Sequence, residues 1–222
     1  MVVTGVSTGE HGRFVLSYTF FAPGLPDNQK DLSAHIWDME AQEEYRRLLG
    51  HTDRILDAAF LHEPEGVLAS VGADHTLRLW EIEHGAQILE PPFTVGTSTE
   101  GLIAARFSPH AEHLVVATDA ARLLLYDVRT GELLREFEAP GLVGRIAFAD
   151  EETFVTGGAA LARWDIRDAK PAQTIFPADA PILTLAARPT LHAPGGLDAE
   201  VRLYDLSSLE LKWYNDPHAG AV

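Results

Sequence analysis

Residues 48 to 82, LLGHTDRILDAAFLHEPEGVLASVGADHTLRLWEI, contain the pattern on which the rest of the chain is built. Three short apolar runs, ILDAAF, VLASV and TLRLW, are separated by stretches rich in Gly, Pro, Asp and His. Runs of this length bounded by turn residues predict strands joined by tight turns. No segment of the chain keeps a helical 3.6-residue period over three turns, so we expect an all-β protein.

The end of this stretch has four further copies in the chain. Each copy is an alternating apolar run that leads to Trp or Tyr and then to an acid, and successive aromatic residues are 43, 46, 38 and 40 residues apart. A period of about 40 to 45 residues is typical of four-stranded propeller blades. The pairs are Trp37-Asp38, Trp80-Glu81, Tyr126-Asp127, Trp164-Asp165 and Tyr204-Asp205.

These repeats resemble those of the WD40 family, and residues 48 to 82 are the clearest copy. The resemblance implies a β-propeller built from five WD40-like four-stranded blades. It also implies that a structural quartet forms a buried chain of hydrogen bonds inside the second blade. Such a chain is chemically sensible, because an indole N–H can only donate, a hydroxyl can donate and accept, and an imidazole can pass one bond on to a carboxylate. The quartet is His51, Ser70, Asp74 and Trp80.

The resemblance covers essentially the whole chain and predicts a single domain over residues 1–222. Both ends of the chain have the same repeat phase, which is compatible with a last strand over 209–215 that pairs with the segment around 33–38 and closes the ring. The alternative, that the five repeats are part of a longer propeller, stays open. The repeats are approximately 1–42, 43–85, 86–131, 132–169 and 170–208, with 209–222 as the closing strand.

Repeats three to five depart from the family pattern, so we expect them to lack complete quartets. Pro194 lies where a second strand should run, and since proline removes a ladder donor, we expect the fifth blade to be short there. The residues that replace the histidine or the turn acid are Ser98, Ala139, Asp179, Ala120 and Gly158.

Composition limits the classes of partner and site. The chain has 222 residues, 46% of them hydrophobic, and a formal net charge of −16, which argues against nucleic acid or an anionic membrane and favours basic proteins. With no Cys there is no disulfide framework and no thiolate metal site. An N-terminus without a basic or long apolar segment leads us to expect a cytoplasmic or nuclear protein.

Catalytic and cofactor signals are thin. Ser70, His51 and Asp74 are the residue types of a hydrolase triad, but the resemblance places the serine inside a blade. His110 and His113 form an H-x-x-H on a predicted hairpin turn, which favours a solvated turn over a metal site. No phosphate-binding or calcium loop is present in the sequence. We therefore expect no enzyme activity, no metal and no cofactor.

Function is expected on the surface, because propellers host many unrelated roles. The sequence favours a non-enzymatic scaffold for protein partners, with a regulatory or sensor domain of a larger polypeptide as the alternative; a metal-dependent hydrolase is weaker still. Its oligomeric state is left open. One candidate surface is the long turn 20–30 with apolar Phe21 and Leu25. The other is an acidic face that includes Asp150, Glu151 and Glu152.

Overall fold

The structure, a computed structural model, consists of antiparallel strands and turns. It describes residues 2–8, 13–20, 32–62, 65–168, 170–171, 173–175, 182–188, 191–196, 202–205 and 211–214. These residues form five antiparallel sheets, numbered here as blades 1 to 5. Within the described ranges there is no helix of the length and apolarity that crossing a membrane requires. The expectation of an all-β fold is confirmed.

A first compact unit contains blades 1 and 2. Blade 1 has the order β1-β2-β3-β4, and blade 2 has the order β5-β6-β7-β8, with β9 also paired to β7. Pro91 and Pro92 separate the two short strands β8 and β9, and since proline has no N–H to donate, the fourth strand of blade 2 is interrupted there. The strands are β1 Val2–Thr8, β2 Phe14–Phe20, β3 Ala34–Asp38, β4 Glu43–Leu48, β5 Ile55–Phe60, β6 Val67–Gly72, β7 Thr76–Glu81, β8 Ala86–Gln87 and β9 Phe93–Thr94.

A second compact unit contains the three other blades, each with four strands in chain order. Blade 3 comprises β10 Leu102–Phe107, β11 His113–Thr118, β12 Arg122–Asp127 and β13 Leu133–Glu138. Blade 4 comprises β14 Val143–Phe148, β15 Thr153–Gly158, β16 Leu161–Asp165 and β17 Gln173–Ile175. Blade 5 comprises β18 Ile182–Arg188, β19 Leu191–Gly196, β20 Arg202–Asp205 and β21 Leu211–Tyr214.

All five blades share one irregularity at the start of their first strand. In blade 2 the register between β5 and β6 shifts between Ile55 and Asp57, so that one residue of β5 is left over. The corresponding ladder shifts directly after its first pair in blades 3, 4 and 5, and after its second pair in blade 1. A β-bulge of this kind bends and twists the strand locally. The repeat that the sequence shows is therefore also a repeat of backbone geometry.

The predicted closing strand takes a different place. β21 pairs with β20, as the fourth strand of blade 5. Both edges of β3 are occupied, by β2 and by β4, so the expected pairing of residues 209–215 with the segment around 33–38 is wrong. A short connection explains the outcome, because closing a small loop costs less conformational entropy than joining the ends of the chain.

Blade 5 also shows the effect of Pro194. The ladder between β19 and β20 has two residue pairs, Leu191 with Asp205 and His192 with Tyr204, and it stops before the proline. The corresponding ladder in blade 2 has five pairs. The expectation of a short second strand contact in this blade is confirmed.

Each unit has its own apolar core between neighbouring blades. In the first unit the buried residues come from blades 1 and 2, among them Leu16, Ile36, Leu68 and Trp80. In the second unit a cluster of blades 3 and 4 is rich in aromatic rings, and Phe154 stacks on Trp164 with ring centroids 6.0 Å apart. Burial of each such side chain is worth about 1.5 to 3 kcal/mol, so these cores hold the blades rigid.

Candidate functional site

The four quartet residues of blade 2 lie in one continuous chain of hydrogen bonds. The indole Nε1 of Trp80 donates to the hydroxyl of Ser70 at 2.8 Å. That hydroxyl is 2.8 Å from Nε2 of His51, and Nδ1 of His51 is 2.9 Å from a carboxylate oxygen of Asp74. The chain joins β7 to β6, then to the turn before β5 and the turn after β6. One network therefore ties together two strands and two turns of the blade.

The direction of these bonds follows from what each group can do. Because the indole can only donate, the oxygen of Ser70 accepts from Trp80 and turns its own proton toward Nε2 of His51. A carboxylate accepts, so the proton of the imidazole lies on Nδ1, facing Asp74. Every group is satisfied with neutral His51, and each bond polarises the next.

Asp74 organises the turn between β6 and β7. Its carboxylate accepts from the backbone N–H of Thr76 at 3.1 Å, from the hydroxyl of Thr76 at 2.8 Å and from the N–H of Thr52 at 2.8 Å. Burial alone would raise the pKa of Asp74, but the hydrogen bonds from His51, Thr52 and Thr76 outweigh it and lower the pKa to about 2. The acid is thus ionised throughout the physiological range.

Gly72, the last residue of β6, makes room for this network. A Cβ at this position would lie 2.5 Å from Oδ1 of Asp74 and 2.5 Å from Nδ1 of His51. Any side chain here would have to displace the imidazole or the carboxylate. The glycine is therefore required by close approach.

Distances between Ser70, His51 and Asp74 match those of a hydrolase triad, but their environment differs. Ser70 is 0% exposed, and its oxygen already accepts a hydrogen bond from Trp80. A catalytic serine needs an open path to substrate and an oxyanion hole beside it. The sealed hydroxyl is held by the blade, so the arrangement acts as a structural brace.

Comparison with known proteins agrees with this geometry. A WD repeat-containing protein of Schizosaccharomyces pombe is 33% identical over 63 residues, 27% of this chain and 14% of that protein. A WD repeat-containing protein of Saccharomyces cerevisiae is 25% identical over 120 residues, 46% of this chain and 23% of that protein. The nuclear distribution protein nudF of Aspergillus niger is 25% identical over 178 residues, 76% of this chain and 40% of that protein. No protein-family model matches the chain.

The chain is therefore similar in sequence to WD-repeat proteins. It spans at most 40% of the length of the three relatives named above.

Partial versions of the brace occur in two other blades. In blade 1 the indole of Trp37 donates to Ser17 at 2.8 Å, and in blade 4 the indole of Trp164 donates to Thr156 at 2.9 Å. The role of Thr156 was not predicted from the sequence. The available signal was its place as the fourth residue of its second strand, which is also the place of Ser17 and Ser70.

The acid that follows the aromatic residue has a local structural role in blades 1 to 4. Its carboxylate accepts backbone N–H groups of the turn to the fourth strand, as Asp38 does from Glu40 at 2.9 Å and Ala41 at 3.1 Å. The Arg167 guanidinium beside Asp165 adds an ion pair at 2.7 Å and lowers the pKa of that acid to about 2. The other acids with this role are Glu81 and Asp127.

Asp150, Glu151 and Glu152 lie in the turn between β14 and β15. Asp150 is exposed and accepts the N–H of Glu152 at 2.9 Å, which closes the turn. Glu152 is also exposed and forms an ion pair with Arg167 at 3.2 Å. Glu151 is half-buried. This segment is therefore less purely acidic than its sequence indicates, since an arginine distant in sequence reaches it.

The predicted His113 lies with Glu112 and Glu151 in a group whose ligand atoms are all within 4.8 Å of one another, a geometry that could hold a cation. Phe21 and Leu25 lie outside the described residues. The ring of His110 stacks on that of His62 with centroids 4.6 Å apart. Ligand atoms of Glu81, Glu83 and His84 lie within 4.8 Å of one another, a geometry that could hold a cation, and the sequence analysis did not identify them. Nδ1 of His84 is 2.8 Å from Glu81, so the cluster already forms internal contacts.

Proposed function

We propose that this protein is a non-enzymatic scaffold that binds protein partners. The observation that carries the proposal is the sealed quartet of blade 2, in which the triad-like serine is 0% exposed and fully engaged. The reactive residue types of the repeat are used to brace the blade. Binding therefore falls to the exposed turns and grooves around rigid sheets.

Charge indicates which proteins suit this surface. The chain has 33 acids and 17 Lys and Arg, so its field attracts basic partners and speeds their association. The same field disfavours phosphate backbones and anionic lipid. A cytoplasmic or nuclear location remains a prediction.

Labelling with an active-site probe separates a scaffold from a serine hydrolase. A fluorophosphonate probe phosphonylates nucleophilic serines, and intact mass spectrometry detects the adduct. We expect no adduct on the folded protein, whereas an adduct that disappears in Ser70→Ala would contradict the proposal.

Affinity capture from extract of the source organism tests binding itself. We expect specific protein partners whose capture weakens as NaCl is raised from about 0.05 M to about 0.5 M, because screening shortens the reach of the acidic field. Glu132→Lys, an exposed change on the β12–β13 turn, is a surface control. Failure to capture any protein specifically, at any salt concentration, would argue against a scaffold.

A further inference from the structure

A cavity of about 410 Å³ lies in the first unit, between blades 1 and 2. Its walls are the rings of Phe14 and Tyr45 from blade 1 and of Phe60 from blade 2. The aliphatic side chains of Val67 and Ile82 complete the apolar lining. A volume of this size lies within the range of about 300 to 1,000 Å³ that is usual for ligand sites in proteins. The cavity is thus large enough for the side chains of a bound segment.

The aromatic rings of the wall already contact cations. The rings of Phe14 and Tyr45 have centroids 5.0 Å apart. The guanidinium of Arg46 lies 4.2 Å from the centroid of Tyr45, and that of Arg13 lies 5.0 Å from the centroid of Phe14. Guanidinium groups are attracted to ring faces. This wall therefore suits side chains that combine an apolar stem with a positive charge.

The rim on the blade 2 side is acidic. Glu65, Glu81 and Glu83 line the cavity, and among the residues that the structure describes none of those lining it is basic. Glu81 is committed to the turn, because it accepts the N–H groups of Glu83 and His84. Within the described part of the chain, no base lies within ion-pair distance of the carboxylates of Glu65 and Glu83. Two carboxylates at the mouth are thus available to a visiting cation.

Nearby arginines do not cancel this charge. Arg13 is held by the carboxylate of Asp38 at 2.8 Å. The Nε of Arg46 donates to the backbone oxygen of Glu83 at 3.0 Å, which anchors it beside the mouth. The mouth is negative, because three glutamates line it and only one nearby arginine, Arg46, is without an ion pair to a carboxylate among the described residues.

We propose that this cavity is a docking site for a protein segment that places an aromatic or aliphatic side chain beside a lysine or arginine. The apolar side chain enters between Phe14, Tyr45 and Phe60, and the positive group lies against Glu65 and Glu83. The inference rests on the proposed scaffold function and specifies its surface and the class of its partner. The acidic rim favours a basic segment over an acidic one. The apolar walls favour a basic segment that also has an apolar side chain over one that is entirely polar.

Synthetic peptides test the site without a known partner. The probe is fluorescein-labelled Gly-Arg-Leu-Phe-Arg-Gly, and fluorescence anisotropy with the full chain reports binding. One matched peptide replaces Leu-Phe with Ser-Ser, and another replaces both arginines with glutamine. We expect each replacement to weaken binding at least about five-fold, because anchor and charge both contribute. Equal binding of all three peptides, or no binding of the first, would overturn the proposal.

Variants of the protein locate the site. Glu65→Lys with Glu83→Lys, both on exposed turn residues, should weaken the arginine peptide about ten-fold or more. The control is Glu132→Lys with Glu138→Lys, two exposed acids that do not line the cavity, which makes the same change in net charge. Circular dichroism checks that both variants stay folded. An equal loss in the control would show general electrostatic attraction and reject this cavity as the site.

The outcome is separable from that of the scaffold itself. If the peptides fail but specific protein capture persists and is unchanged by Glu65→Lys with Glu83→Lys, this docking site is wrong and the scaffold function stands. If specific capture also fails, the scaffold function falls with it.

Discussion

Blades 2 and 3 contain the same turn between second and third strands but stabilise it in opposite ways. The backbone is left-handed at His75 in blade 2, with φ 62°, and at Ala121 in blade 3, with φ 57°. The N–H of each donates to the strand before it at 3.2 Å. In blade 2 the turn acid Asp74 then binds Thr76 and the quartet. In blade 3 the acid is absent, since Ala120 occupies its place.

Blade 3 uses the vacant space for a threonine. Gly72 ends β6, and the corresponding residue of β11 is Thr118, which is 0% exposed. Its hydroxyl accepts the N–H of Arg122 at 3.4 Å, the bond that Asp74 provides for Thr76 in blade 2. A single residue change therefore covers part of the role of the missing acid.

The serine position of the quartet is apolar in blade 3. Val116 stands where blade 2 has Ser70, and it is 0% exposed within a sheet packed by Leu123, Leu124 and Leu125. Both blades keep the turn and the bulge. The space behind the turn is filled by the polar quartet in blade 2 and by Thr118 and apolar side chains in blade 3. The quartet requires all four of its residues, since a buried polar group without its hydrogen-bond partner lowers stability.

The largest expected effect comes from filling the space that Gly72 leaves. Gly72→Ala places a Cβ 2.5 Å from both His51 and Asp74 and should lower the free energy of unfolding by about 3 kcal/mol, because it separates a buried pair. Gly144→Ala is the matched control, since its Cβ would meet nothing within 4 Å. Urea denaturation measures both. Equal losses would show that His51 and Asp74 move aside at no cost.

Removing the indole donor should cost somewhat less. Trp80→Phe leaves the hydroxyl of Ser70 without its donor inside the blade, and we expect a loss of about 2 kcal/mol. Trp37→Phe breaks the same kind of bond to Ser17, but Trp37 is 38% exposed, so water can replace the indole and the loss should stay below about 1 kcal/mol. Denaturant midpoints decide. A larger loss in the Trp37 variant would contradict the buried role of the blade 2 network.

Acid should selectively weaken blade 2. The pKa of Asp74 is lowered to about 2 in the fold, so its contribution is complete above the ordinary aspartate pKa near 4 and is lost as the pH falls toward 2. The shift corresponds to about 2 kcal/mol. Asp74→Asn should lower stability at pH 7 and reduce the loss between about pH 5 and pH 2. Asp165→Asn, at a partly exposed ion pair, should change that loss less. An unaltered acid profile in Asp74→Asn would refute the assignment.

The repeated strand pattern could be predicted from the sequence, whereas contacts between residues distant in sequence could not. Alternating apolar runs, turn residues and the Trp or Tyr before an acid were enough to predict an all-β fold. The place of β21 could not be read from repeat phase, because phase is the same whether the last strand joins its own blade or the first one. Arg167 beside Glu152 and the cavity between Tyr45 and Phe60 depend on packing between strands, which one-dimensional patterns do not contain.

The smallest expected effect is the coupling between two substitutions that introduce a serine–indole hydrogen bond into blade 3. Val116→Ser alone should destabilise by about 1 to 3 kcal/mol, because it buries a hydroxyl. Adding Tyr126→Trp supplies an indole donor at the position that Trp80 has in blade 2. Blade 4 shows that such a pair needs neither the histidine nor the acid, since Trp164 donates to Thr156 although Ala139 and Gly158 replace them.

The double-mutant cycle of these two changes isolates their interaction from the strain of fitting a larger ring. We expect a favourable coupling of about 1 kcal/mol from the four unfolding free energies. Val116→Ala with Tyr126→Trp is the control cycle, since alanine offers no acceptor. Equal coupling in the two cycles would mean that the indole does not bond to Ser at position 116. Blades 2 and 3 would then differ in backbone as well as in side chains.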